Sequence, residues 1–415
     1  MYNLTEMKTL CFIKLMVVIL LIAGCSNHNG ALPNPGNIVL SEKSLQLVKS
    51  DNSFSFNLLS NIPVDHDHNM MVSPLSVSLA LSMALNGANG ETKTAMQNTL
   101  GFQGLTQDEI NQIYLDLISA LKKADPKVVL NIANSIWIRK DFPVLESFTQ
   151  ANQKYFDASI TSLNFDQTAL NTINSWVNTK TNGKIPTILD TISADEIMFL
   201  INAIYFNGKW QYQFDPSKTV NSDFTLTGGQ TVSVPMMKRK EKFAYSEQSG
   251  YKALKMPYGR GKFQMVVLLP DEGNTPESIG GQLDPTKWET LTAALNNPVE
   301  IDVWFPKFQY SWDIELNQLL SSLGMSIAFS RTNADFSKIN ADYQLYITKV
   351  KHKTFIKVDE EGTEAAAVTS VGIGMSAMPV TLEFHANRPF LYFITEEDTG
   401  AILFIGKVEN PLLSN

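Results

Sequence analysis

The sequence predicts an α/β fold, and three observations carry that reading. Capped helical stretches alternate with apolar strand-like runs, without the regular period of βαβ units. Residues 198–206 form a nearly continuous apolar run, as a central strand covered on both faces requires. The chain closes with a hairpin pattern, residues 390–395 and 401–408 across Glu396-Glu397-Asp398-Thr399-Gly400. Composition agrees: 44% of the 415 residues are hydrophobic and 18% charged, enough for a large core, with no internal repeat or low-complexity block. The net charge of −8 lacks the basic footprint that nucleic-acid phosphates require.

Taken in order, residues 1–24 read as a targeting segment. Lys8 and Lys14 precede an apolar run over 15–23, shorter than the roughly 20 residues that span a bilayer. The run ends Leu21-Ile22-Ala23-Gly24-Cys25, which resembles a bacterial lipobox. Residues 1–24 are then a lipoprotein signal peptide, and Cys25 is the lipidated first residue and membrane anchor; plain secretion is the competing reading. Ser26 after the cysteine is the outer-membrane sorting pattern in a Gram-negative host, so the expected location is the outer membrane or cell surface, periplasmic or extracellular. Residues 25–41 form a Pro/Gly/Asn tether, and 42–415 the folded domain. With Cys11 removed and Cys25 lipidated, that domain has no disulfide and no cysteine nucleophile.

Within the domain, Ser73 caps a helix that has Pro74 at its first position and stops at Gly87. Residues 106–123 read as an amphipathic helix, 131–138 as a strand, and 170–181 as a helix closed by Gly183. Residues 262–269 and 299–305 read as strands. Enzyme chemistry finds no footing: G-x-S-x-G, H-E-x-x-H and phosphate-cradling glycine loops are absent from the sequence, and no cofactor is implied. His66 and His68 point apart in an extended chain, so a solvated loop is expected rather than a metal site. The basic run Lys238-Arg239-Lys240-Glu241-Lys242 reads as a wet turn rather than a polyanion site.

The most distinctive stretch is 358–379, VDEEGTEAAAVTSVGIGMSAMP. After Asp359, Glu360, Glu361 and Gly362 it becomes small and nearly uncharged. Extended, its side chains alternate faces. Thr363, Ala365, Ala367 and Thr369 share a wholly small face, while Glu364, Ala366, Val368 and Ser370 share the other. A segment of this kind can slide between two strands with its small groups inward and Glu364 wet. Gly372 and Gly374 then loosen the chain around Met375, Ser376, Ala377 and Met378, an apolar bait ended by Pro379.

Glu360-Glu361-Gly362-Thr363-Glu364-Ala365-Ala366-Ala367 resembles the hinge of the serpins, the serine protease inhibitors. Other blocks from residue 45 to 411 match in order: Asn69-Met-Met-Val-Ser-Pro-Leu-Ser76, Asn174-Ser-Trp-Val-Asn178, Leu200-Ile-Asn-Ala-Ile-Tyr-Phe-Asn-Gly-Lys-Trp210, Lys349-Val-Lys-His352, Asn387-Arg-Pro-Phe390 and Phe404-Ile-Gly-Lys407. The resemblance implies a multi-domain-class α/β serpin fold with three β-sheets, a large central five-stranded sheet, about nine helices and an exposed reactive loop at about 360–379. It further implies a shutter of Ser73, Ser76, Asn202 and His352 beneath the parting strands. A breach at the top of the sheet would hold Trp210 and the ion pair of Glu360 with Lys307. The implied partner is a serine protease of elastase-, chymotrypsin- or subtilisin-like type, trapped covalently by a monomer when the loop is cut near Met375, Ser376 or Ala377 and inserts, with Thr363 the first side chain to enter. A carrier or binding protein that keeps the fold and loses insertion is the alternative. It would show charged, bulky or proline residues on the inward face, where this chain has Thr, Ala, Ala and Thr.

Overall fold

Nine α-helices and fifteen strands occur among the described residues, 36–363 and 382–414, of a computed structural model. The first half runs α1 (Glu42–Asn61), β1 (Met70–Val72), α2 (Pro74–Leu85), α3 (Gly90–Leu100), α4 (Gln107–Lys123), β2 (Val128–Arg139), α5 (Glu146–Phe156), β3 (Ser159–Leu163), α6 (Gln167–Lys180) and β4 (Met198–Lys209). It continues through β5 (Val220–Thr225), β6 (Thr231–Gln248), β7 (Tyr251–Tyr258), β8 (Phe263–Pro270), α7 (Pro276–Gly280), α8 (Pro285–Ala294), β9 (Pro298–Pro306), β10 (Phe308–Glu315) and α9 (Asn317–Leu320). The end comprises β11 (Lys351–Asp359), β12 (Gly362–Thr363), β13 (Leu382–His385), β14 (Phe390–Glu396) and β15 (Ile402–Val408).

Local chemistry sets the boundaries. Ser73 accepts the Ser76 N–H and Pro74 opens α2, which is buried along nearly its whole length. Thr106 and Glu109 form a reciprocal capping box at the start of α4. The longest helix, α1, escapes the sequence reading because Asp51, Asn52, Ser53 and Ser55 interrupt its apolar stripe; Asp51, Asn52 and Ser55 are themselves buried.

The central sheet has the order β10-β11-β12-β4-β2-β3. Five of these are full strands, and β12 is a two-residue wedge between β4 and β11. Because β12 is antiparallel to both neighbours, β4 and β11 run parallel to each other, and among the described residues no ladder joins them directly. The inner face of β4 (Ile204 and Phe206) packs on the main core with α2 beneath it; the outer face (Phe199, Ile201 and Ala203) is covered by Leu170, Ile173 and Val177 of α6. The remaining strands form one continuous network, not two separate sheets. The 18-residue β6 joins them, its Met236–Ala244 half pairing with β9 and its Ala244–Gln248 end with β7.

Two expectations are corrected. The run 238–242 lies inside β6, not in a turn: Lys238 sits 3.2 Å from the centroid of the Trp304 ring and Lys240 pairs with Glu300 at 2.8 Å. The last tether residues are docked. Ile38 and Leu40 pack on the core, and the Ile38 N–H donates to Asp398 at 2.8 Å.

Candidate functional site

Two groups of residues flank the junction of β4 and β11. The first is buried beneath the sheet. The Ser73 N–H donates to His352 Nε2 (2.9 Å), and the Ser73 hydroxyl donates to the Leu403 carbonyl (2.7 Å). The Ser76 N–H reaches Ser73 Oγ (3.3 Å), and the Ser76 hydroxyl donates to Asn202 Oδ1 (2.5 Å). Asn202 passes the chain to Asn134 Oδ1 (2.7 Å), whose amide donates to the Phe156 carbonyl (2.6 Å). All four polar residues singled out in the sequence therefore meet, on α2, β4 and β11. Asn134 was missed, although a lone amide on an otherwise apolar strand face was the available signal. A cavity of about 130 Å³ lined by Ser76, Asn202 and His352 adjoins them.

His352 must be neutral to accept the Ser73 N–H on Nε2, and burial pushes its pKa down from 6.5 to about 4. The unfolded chain takes up this proton as pH falls below 6.5, while the folded protein does so only near 4. Stability is thus full above pH 6.5 and lost as pH falls toward 4, by about 3 kcal/mol. Asp51 acts oppositely. Burial raises its carboxyl to about 7 against the hydrogen bond from Tyr114, so its stabilisation fades as pH rises from 3.8 to 7. Melting curves of wild type and His352→Gln at pH 7 and 5 separate the two: the wild type is expected to lose more stability than the variant on acidification. Parallel pH profiles would refute the assignment.

The second group holds the base of the hinge. Asp359, Glu360 and Glu361 are all buried, and each has its own lysine: Lys357 (2.9 Å), Lys307 (2.8 Å) and Lys209 (3.3 Å). Burial opposes ionisation of Glu360, but hydrogen bonds from Lys307 and from Thr219 (2.8 Å) outweigh it and hold the carboxyl below its usual range. Trp210 donates Nε1–H to the Asp359 carbonyl (3.0 Å) and its backbone N–H to the Glu361 carbonyl (2.7 Å); Phe214 N–H donates to the Glu360 carbonyl (2.8 Å). The Trp210 ring stacks on Tyr258 at 4.3 Å, and the Tyr258 hydroxyl bonds Thr363 Oγ1 at 2.7 Å. Gly362 has φ +150°, and a Cβ there would strike the Gly208 carbonyl and the Lys209 backbone, so only glycine admits the chain between the strands.

Thr363 is already seated, 4% exposed, opposite Gly208 on β4 and Val358 on β11. It is therefore not the first residue left to enter. Glu364, Ala365, Ala366 and Ala367 of the expected hinge, the bait residues Met375, Ser376 and Ala377, and Cys25 all lie outside the described residues. His66 and His68 diverge from expectation only in company: His66 Nδ1 lies 3.2 Å from Glu409 and His68 pairs with Asp65 at 2.9 Å. Lys407 neutralises Glu409 and Glu277 beside His66.

A two-residue wedge between parallel strands, a polar cluster beneath them and three lysine-paired acids beside them are the arrangement that the sequence motifs led us to expect. Comparison with known proteins agrees: residues 49–411 match the family model described as Serpin (serine protease inhibitor). The chain belongs to the serpin family. It is 35% identical to human leukocyte elastase inhibitor over 83% of this chain and 93% of that protein. Among solved structures it resembles the thermophilic serpin tengpin in its native state (TM-score 0.82, 35% identity, 90% of this chain and 96% of that one). It also resembles thyroxine-binding globulin in complex with thyroxine (TM-score 0.79, 30% identity, 88% and 99%).

Proposed function

We propose that this chain is an inhibitory serpin, a suicide substrate of serine endopeptidases of elastase-, chymotrypsin- or subtilisin-like specificity. The observation that carries the reading is the seating of Gly362 and Thr363 between β4 and β11. Carried on at the same register in an inserted form, residue 365 falls opposite Phe206 and Ile356, 367 opposite Ile204 and Thr354, and 369 opposite Asn202 and His352. The small face of the hinge would thus meet the apolar inner face first and reach the buried polar cluster at Thr369, where a hydroxyl can exchange hydrogen bonds with it. Insertion would add two antiparallel ladders where, among the described residues, no ladder joins β4 and β11.

In the reaction, the protease serine attacks the scissile carbonyl, the peptide nitrogen leaves with a proton as a new N-terminus, and the acyl ester persists if insertion outruns hydrolysis. One inhibitor molecule is consumed per protease trapped, without turnover. The anchor at Cys25, a location on the outer membrane or outside the cell, and a monomeric state complete the proposal; the lipobox-like sequence supports the first two. The carrier reading draws on the likeness to thyroxine-binding globulin, but that reading leaves the small inward face of the hinge without a purpose. Incubation with elastase, chymotrypsin and subtilisin decides between them. A band resistant to denaturant, at the summed mass of protease and inhibitor, is expected with at least one, and mass spectrometry of the released peptide should place the cut at Met375–Ser376 or Ser376–Ala377. Clean proteolysis with no such band, or trapping by trypsin-like enzymes alone, would overturn it.

A further inference from the structure

A cavity of about 90 Å³ lies away from the β4–β11 junction, and none of its lining residues belongs to either strand. Its apolar wall is Leu59 and Ile62 at the end of α1, Met70 of β1, Trp312 of β10 and Leu391 of β14. Clefts for drug-sized ligands begin near about 300 Å³, whereas an apolar cavity of about 150 Å³ holds one benzene ring. This one therefore admits a single small ring or a short alkyl chain. Its mouth is marked by Val64, 60% exposed, and by the half-exposed side chains of Asp65 and His68.

Two of the lining side chains lack partners. Glu277, on α7, gives its Oε1 to the Lys407 ammonium at 2.6 Å, but its Oε2 is buried and receives no hydrogen bond among the described residues. Trp312 is half-buried and, alone of the six tryptophans, has no ring or cation partner among them. The polar end of the cavity is negative. Lys407 spends its three protons on the Asp65 carbonyl (2.8 Å), Glu277 and Glu409 (2.8 Å), so it has no donor left for an anionic ligand. One ammonium thus serves two glutamates. With His66 neutral, a negative charge is left over before Asp65 at the rim is counted.

We propose that this cavity binds a small primary ammonium ion with an apolar tail. The ammonium donates to Glu277 Oε2, and the tail lies against Trp312, Met70 and Leu391. The carboxylate supplies a charge-assisted hydrogen bond, which also relieves the cost of a buried oxygen left without a donor. The indole adds the attraction of its ring face for a cation. Glu277 and Trp312 belong neither to the hinge base nor to the buried polar cluster, so binding stands independently of the inhibitory reading.

Ligand-detected NMR titration with butylamine and benzylamine, both protonated at neutral pH, tests the site. Wild type is expected to bind at least one saturably, the tighter showing whether a chain or a ring fits the cavity. The matching alcohol, which keeps a donor but not the charge, should bind at least tenfold more weakly. Glu277→Gln should erase that difference, and Trp312→Leu should weaken the amine at least threefold. Glu289→Gln, the same change on α8, should match wild type. Melting curves establish first that each variant is folded; if Glu277→Gln is not, Trp312→Leu and the alcohol carry the test. The proposal is overturned by no saturable binding of either amine, by equal binding of amine and alcohol to wild type, or by an equal loss in Glu289→Gln.

Discussion

Cutting the chain within residues 372–378 is expected to raise its melting temperature by roughly 20 °C or more. In the intact protein, β4 and β11 are bridged only at Gly362 and Thr363 among the described residues. On the inhibitory reading, a cut frees the segment after Thr363 to extend β12 by about ten residues along β4, at the register that reaches Met198, and about seven along β11, at the register that reaches Lys351, each residue adding hydrogen bonds worth about 1 kcal/mol net. A gain on the order of 10 kcal/mol moves the midpoint by roughly 20–40 °C at about 2–4 °C per kcal/mol, somewhat less in a chain this long. On the inhibitory reading, the intact form would persist through a barrier and not by being the most stable state. Thermal melts of intact and nicked protein, with mass spectrometry fixing the cut, measure this. Equal melting temperatures would show that the segment does not insert and would favour a carrier.

How far the sequence was legible depends on whether a feature is local. Ser73 with Pro74, the amphipathic helix at 106–123 and the apolar run that became β4 are encoded by neighbours in the chain, and the structure places them as expected. The four expected shutter positions were named through motif resemblance, but their linkage was not readable. Leu403 and Asn134 come from β15 and β2, and only the folded topology brings them to Ser73 and Asn202. The Glu360–Lys307 pair was named through the resemblance, whereas sequence distance hid Lys209, on β4, as the partner of Glu361. The run 238–242 misled for a related reason. On a long strand its alternate lysines lie over Trp304 and against Glu300, partners that a local reading assigns to water.

Arginine placed at successive hinge positions should separate the two faces of the inserting segment. At Thr363 the charge meets a site already closed, beside Tyr258 and 4% exposed, so Thr363→Arg is expected to lower the melting temperature of the intact protein as well as to impair trapping. Ala365→Arg tests insertion alone. Its register neighbours, Phe206 and Ile356, are buried and apolar, and moving a charge between them costs several kcal/mol even after relaxation. The acyl-enzyme partitions between insertion and hydrolysis, and each 1.4 kcal/mol on the insertion barrier shifts that ratio about tenfold. A cost of about 3 kcal/mol therefore turns an inhibitor into a substrate, cut at the same bond but releasing active protease roughly a hundredfold more often. Glu364→Arg carries the same side chain on the opposite face. Its register neighbours are Asn207 and Lys357, and a like-charge contact at the surface costs less than about 1 kcal/mol, so trapping should change by less than tenfold. Titration of protease activity against each variant gives the number of inhibitor molecules spent per protease trapped. If Ala365→Arg traps like the parent, or if Glu364→Arg fails alongside it, the alternation of faces does not govern insertion.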